Sequence, residues 1–309
     1  MKRGIYRFRL WIQIAFAALS NGYVAGFFKT RLYSGALKQV CLPGLNCYAC
    51  PGALGSCPIG ALQSVLGDRN FKMSFYVLGT LMIFGALLGR LVCGFLCPFG
   101  LVQDLLHKIP SKKIQRMPLD RWLRWLKYVV LAVFVLWLPL FAVNIVGQGS
   151  PWFCKWICPS GTLMGGIPQM LMSESLRESA GFLFSWKMFI LLALLTLSVF
   201  SYRPFCKYLC PLGAIYAVTN RFSLFRFQLD ERKCTHCGAC ARSCKMGVNM
   251  SKTQNHPECI RCGDCQSACP EGAISSGFTH TTRCSGQCSP QCSGASPAPD
   301  SPARDHSPD

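Results

Sequence analysis

The chain has 309 residues, of which 51% are hydrophobic and 15% charged, with a net charge of +19 at neutral pH and 21 cysteines. This composition fits a water-soluble protein poorly and favours the membrane class. The basic residues lie beside apolar stretches, as in cytoplasmic loops of membrane proteins, which argues against nucleic acid as a partner; the cysteines stand in regular C-x2-C and C-x3-C spacings, which at this length read as metal ligands rather than a secreted disulfide scaffold.

The first predicted element is residues 10–28, an uncharged run behind the basic start Lys2, Arg3, Arg7 and Arg9. No small-residue cleavage site follows, so an anchoring helix is expected here rather than a cleaved signal peptide. Residues 73–89, 128–145 and 188–202 are three further uncharged stretches near the length that crosses about 30 Å of hydrocarbon. The fourth is short and is expected to extend back past Lys187, whose long side chain can snorkel. Lys108, Lys112, Lys113, Arg116, Arg121, Arg124 and Lys127 crowd the segment between the second and third stretches. Both termini are therefore expected in the cytoplasm of a bacterial-type inner membrane. Two segments, RLVCGFLCPFGLV from Arg90 and RPFCKYLCPLGAI from Arg203, share Arg, Cys, Cys-Pro and Gly positions after the second and fourth stretches. That match predicts a tandem repeat of two helices plus a cysteine motif.

From residue 223 the chain becomes polar and rich in cysteine. Cys234, Cys237, Cys240 and Cys244, then Cys259, Cys262, Cys265 and Cys269, repeat the bacterial two-cluster ferredoxin spacing. In that arrangement three closely spaced cysteines wrap one [4Fe-4S] cube and the fourth ligates the other. Cys234, Cys237, Cys240 and Cys269 should hold one cube; Cys259, Cys262, Cys265 and Cys244 should hold the second. Zinc is the competing reading of C-x2-C pairs. Lys245 stands where the first motif usually has Pro, and His236 and His256 read as solvated loop residues. Residues 277–309 are Ser/Pro-rich and expected to be disordered, Cys284, Cys288 and Cys292 included.

Cys93-x3-Cys97-Pro98 and Cys206-x3-Cys210-Pro211 fall on the expected cytoplasmic face, where they supply four thiolates for a third cluster. Cys154-x3-Cys158-Pro159 falls on the opposite face, and Cys47 and Cys50 are its expected partners in a fourth site, leaving Cys41 and Cys57 as a disulfide or as ligands in a different pairing. Buried structural thiols and disulfides are the alternatives for all of these. A C-P-x-G string recurs at Cys57, Cys97, Cys158, Cys210 and Cys269. Pro can open a helix and Gly lets the backbone approach closely, so that amides point at cluster sulfurs. Arg90 and Arg203, matched in position, either snorkel at the interface or stabilise reduced clusters or a quinone head group.

The combination resembles the NapH-type family of membrane iron–sulfur quinol dehydrogenase components, with the NosR C-terminal region and CcoG-like polyferredoxins as relatives. The likeness covers roughly residues 5 to 275. It implies quinol-linked or ferredoxin-linked electron transfer across the bilayer, between a cytoplasmic or quinone-pool redox partner and an extracytoplasmic acceptor, by an oxidoreductase component rather than a stand-alone enzyme. The CcoG likeness also allows an assembly or maturation factor, and a redox-sensing regulator is the third alternative. The expected fold is an all-α bundle of four transmembrane helices over residues 1–222, followed by a small α+β two-[4Fe-4S] ferredoxin domain over 223–276. No dinucleotide-binding motif follows a credible strand and no C-x2-C-H haem site occurs.

Overall fold

Helices carry most of the structure, and a single pair of antiparallel strands closes its C-terminal part. The computed structural model describes residues 8–29, 32–67, 75–114, 120–142, 149–178 and 181–278, which fall in one unit ending at Phe278. The Ser/Pro-rich tail with its three cysteines lies outside the described residues, as do Lys2, Arg3, Arg7 and Arg116.

The expected apolar run 10–28 is not one helix. Helix α1, Arg9–Ser20, stops at Asn21 and Gly22, and a short turn Ala25–Lys29 follows. Ser-Asn-Gly is turn chemistry, because Asn and Gly both tolerate conformations that a helix interior excludes. Helix α2, Pro58–Leu66, and helix α3, Phe75–Leu88, come next. Helix α4, Asp120–Val130, opens a continuous helical stretch that ends at Phe141 and contains the apolar span Trp122–Phe141. Its middle, Leu131–Trp137, is π-helical and is followed closely by Pro139, a residue with no N–H to give the regular ladder. Helix α5, Phe182–Phe200, reaches back past Lys187 as expected, but Lys187 donates to the Cys154 carbonyl at 3.2 Å.

Among the described residues two helices, Trp122–Phe141 and Phe182–Phe200, are long and apolar enough to cross a membrane, and only 22% and 17% of their apolar windows are buried. A helix from the core of a soluble protein would be mostly covered. Arg9–Ser20 and Phe75–Leu88 are apolar but shorter, at 12 and 14 residues, or about 18 and 21 Å at the usual rise. The expectation of four spans is thus met in part.

Strands β1, Phe225–Leu229, and β2, Ile274–Phe278, pair with Phe225 opposite Phe278 and Leu229 opposite Ile274. The two cysteine loops lie between them in sequence, each with a one-turn helix, Ala239–Ser243 and Asp264–Ala268, entered through a glycine at positive φ: Gly238 at 71° and Gly263 at 83°. Phe227, Met250 and Ile274 bury a small core beneath the loops.

This segment is pressed onto the helices. Arg261, fully buried, donates to the Leu88 carbonyl at 2.7 Å, where α3 ends, and to Ser223 Oγ at 2.6 Å, satisfying a carbonyl that the helix end leaves without a partner. Gly94 fits under Ile260: a Cβ there would lie 2.6 Å from the Ile260 carbonyl oxygen. Gly94→Ala is accordingly expected to cost about 1–3 kcal/mol through overpacking. Thermal bleaching of the purified protein, followed in the visible, would show it as an earlier loss of colour than in wild type.

Candidate functional site

Cys234, Cys237, Cys240 and Cys269 line one small cavity together with Gly238 and Pro270. That is the set expected from spacing for the first cube. Cys265 lies within electrostatic reach of Cys259, Cys262 and Cys244, the second expected set, and also of Cys240 from the first. His236 and Arg261 hold positive φ, near 53°, at matching places between the first two cysteines of each motif.

A third cage forms from the segments that follow α3 and α5. Helix α6, Pro98–Leu106, and helix α7, Pro211–Thr219, each open with a cysteine at the N-cap and Pro at the first turn. The Cys97 and Cys210 sulfurs accept from the Gly100 and Gly213 amides at 3.4 and 3.3 Å. The sulfur thus takes the place of the Ser or Asp oxygen that caps an ordinary helix, and the helix N-terminus favours the thiolate. Cys93, Cys97 and Cys206 all act electrostatically on Cys210, and all four are buried. Gln103 locks the second motif to the first: its Oε1 accepts from the Phe205 amide at 3.2 Å and its Nε2 donates to Cys206 Sγ at 3.2 Å.

Arg90 and Arg203 do not snorkel, since both are fully buried. Arg203 donates to the Cys93 carbonyl and forms an ion pair of 2.6 Å with Asp104. Arg90 donates to the Cys206 carbonyl at 3.1 Å, to the Pro257 carbonyl at 2.9 Å and to Glu258 at 2.6 Å. It therefore ties the third cage to the chain just ahead of Cys259. Burial works to raise the carboxyls of Asp104 and Glu258, but the cations beside them hold each at about 2. Asp104 meets Arg9 and Arg203, Asp120 meets Arg124 and Lys207, and Glu258 meets Arg90 and Lys127. Six cations share three carboxylates. The surplus of positive charge is what an anionic guest, such as a cube bound by four thiolates, would neutralise.

A larger cavity of about 680 Å³ is lined by Cys47, Cys57, Cys154 and Cys158, with Gly60, Gly161, Gln169 and Lys187. Cys57, left over in the sequence reading, lines it; Cys50, assigned to it there, does not. Cys41 sits apart on a bridge to Ser56, and both it and Cys57 are free thiols. Cys158 caps its helix as Cys97 does, accepting from the Gly161 amide at 3.4 Å. Burial, and then the neighbouring Cys154, push the Cys57 thiol up to about 12, so a bound cation is what would draw off its proton. Among the described residues no three His, Cys, Asp or Glu side chains close tightly enough to share a single ion.

The cages adjoin. Cys93 and Cys259 are joined through the Gly94–Ile260 contact. The Leu45 amide bonds to the Cys97 sulfur while Leu45 also lines the larger cavity, two residues from Cys47. Tyr216, fully buried, donates to the Pro43 carbonyl at 3.0 Å and lies within reach of Cys93, Cys97, Cys210 and Cys57.

A 4Fe-4S binding domain family matches three successive stretches, residues 73–117, 129–171 and 183–229, and a second 4Fe-4S binding domain family matches 255–275. The chain is 28% identical to the methylamine utilization ferredoxin-type protein MauN of Paracoccus denitrificans, over 74% of this chain and 71% of that one. It is 30% identical to the regulatory protein NosR of Stutzerimonas stutzeri over 54% of this chain, though over only 21% of NosR. The chain resembles the NapH- and NosR-like polyferredoxins, as its 4Fe-4S binding domain matches and ferredoxin-type relatives bear out. An uncharacterized protein of Methanocaldococcus jannaschii is 29% identical over 71% of this chain and 77% of its own length. No solved structure matches.

Sequence reasoning missed two residues of these cages, Gln63 and Gln103. The signal was present: C-P-x-G-x-x-Q occurs at Cys57 and at Cys97, whereas Cys158 and Cys210 have Met164 and Tyr216 at the sixth place.

Proposed function

We propose that this chain is a membrane-bound electron carrier working between a cytoplasmic or quinone-pool partner and an extracytoplasmic acceptor. In this reading residues 1–222 form a bundle of four spans built by tandem duplication, 223–276 a ferredoxin domain with Cys234, Cys237, Cys240, Cys269 and Cys259, Cys262, Cys265, Cys244 as its two ligand sets, and both termini face the cytoplasm. Exposed apolar side chains on all four apolar helices, such as Trp11, Met82, Trp137 and Leu192, support bilayer contact. The ferredoxin-type name of the MauN relative and the 4Fe-4S binding matches support iron–sulfur electron transfer.

The observation that carries the reading is the contact of Gly94 with Ile260, which sets the Cys93/Cys97/Cys206/Cys210 cage one residue from the ferredoxin ligand Cys259. Bound cubes would supply one-electron chemistry, with no general acid or nucleophile required. The residues here align the cages, point amides at their sulfurs and place Arg90 and Arg203 where added negative charge is stabilised. The test is turnover in liposomes, with reduced viologen on the ferredoxin side and a membrane-impermeant oxidised cytochrome on the other. Wild type is expected to reduce many cytochromes per chain and Cys93→Ser/Cys206→Ser none. A single stoichiometric reduction in wild type would sink the carrier reading and leave a sensor or maturation factor.

A further inference from the structure

The large cavity repeats the construction of the Cys93/Cys206 cage with different chain segments. Helix α2 begins at Cys57 as α6 begins at Cys97, each with Pro next, Gly third, Gln sixth and a length of nine residues. Gln63 does for the cavity what Gln103 does for the other cage. Its Oε1 accepts from the Phe153 amide at 3.0 Å, and its Nε2 donates to Cys154 Sγ at 3.5 Å. The partners correspond as well: Phe153-Cys154-x3-Cys158-Pro159 matches Phe205-Cys206-x3-Cys210-Pro211. Three of the four thiols therefore come from equivalent places, Cys57 for Cys97, Cys154 for Cys206 and Cys158 for Cys210. The fourth cannot, because Ala53 stands where the equivalent of Cys93 would be. Cys47 replaces it from the adjoining loop and acts electrostatically on Cys57, Cys154 and Cys158 alike.

Glycines leave the interior clear. A Cβ on Gly161 would lie 3.7 Å from the Cys158 sulfur and 3.8 Å from that of Cys47; one on Gly165 would lie 3.2 Å from Cys47, and one on Gly60 3.9 Å from Cys154. Lys187, on the cavity wall, supplies a cation.

We infer that Cys47, Cys57, Cys154 and Cys158 hold a [4Fe-4S] cube, with Gln63 as a positioning residue whose N–H on Cys154 raises that cube's potential. This deepens the carrier reading by giving it a terminal centre on the side away from the ferredoxin segment, and it rests on that reading only for the cube's use, not for its presence. Cys50 is excluded from the ligand set.

The test is iron, acid-labile sulfide and zinc per chain on the anaerobically purified full-length protein, with a redox titration followed by low-temperature EPR. Cys57→Ser is expected to lose about four irons relative to wild type, one cube's worth, while Cys50→Ser loses none. Gln63→Ala should keep its iron but move one signal to a more negative midpoint, a change that a purely structural role would not give. Retained ferredoxin signals in Cys57→Ser identify a folded protein. Should that variant fail to fold, alkylation of wild type decides: Cys57 must resist iodoacetamide until the iron is stripped by oxidant and chelator. Iron unchanged in Cys57→Ser, iron lost in Cys50→Ser, zinc at the site, or Cys57 alkylated in iron-loaded protein would each overturn the proposal. A cube lost in Cys57→Ser alongside absent turnover in wild type would uphold this site and refute only the carrier.

Discussion

Asp104→Asn is expected to destabilise the protein by about 3–5 kcal/mol, the usual cost of removing one partner from a buried ion pair. The carboxylate meets Arg203 at 2.6 Å and Arg9 at 2.5 Å, and accepts from Gln13 at 3.2 Å. Arg203 is fully buried, so the variant leaves a guanidinium with neither water nor counter-ion, next to the carbonyl of Cys93. The pH dependence has a definite sign. Since Asp104 is held at about 2, below the usual carboxylate range, its stabilisation is complete above about pH 4 and is lost as pH falls through the folded value. Urea unfolding of the detergent-solubilised, iron-free protein should show a wide gap between wild type and variant at pH 7 that narrows toward pH 2. A gap independent of pH would mean that packing, not charge, is what the substitution removes.

Cys93→Ser/Cys206→Ser is expected to lose about four irons and four sulfides while keeping the eight or so of the ferredoxin segment. The ferredoxin ligands lie on loops braced by their own strands, and neither Cys93 nor Cys206 belongs to their expected ligand sets, so the two sets of centres should respond separately. Iron analysis with EPR of the dithionite-reduced protein reads the result. Iron unchanged by the double substitution would show that these four thiols are structural and that Arg90 and Arg203 serve only their ion pairs with Glu258 and Asp104.

What the sequence disclosed depended on how local each feature is. The set Cys234, Cys237, Cys240 and Cys269 was legible because three of its members span seven residues and the fourth follows from the motif's symmetry. Membership of the large cavity was not, because Cys50 and Cys57 lie on one irregular loop and the choice between them is made by the helix that starts at Pro58. For Arg90 and Arg203 the sequence left interfacial snorkelling and a place beside reduced clusters or a quinone head group level, because apolar surroundings repel a bare guanidinium and nothing local showed a counter-ion. Glu258 and Asp104, distant in sequence, remove that objection. The end of α1 was readable in principle from Ser20-Asn21-Gly22, but the hydrophobic count across the run outweighed three turn residues.

The two cages built on C-P-x-G helices draw on alternate parts of the chain: residues 47 and 57 for one, 93 and 97 for the other, then 154 and 158 for the first, and 206 and 210 for the second. Neither can be completed on a nascent chain before most of the bundle has been made, and the second closes some fifty residues after the first. The order of synthesis would thereby become an order of assembly, in which the Cys47/Cys57/Cys154/Cys158 set is complete before the Cys93/Cys97/Cys206/Cys210 set and the ferredoxin cysteines come last.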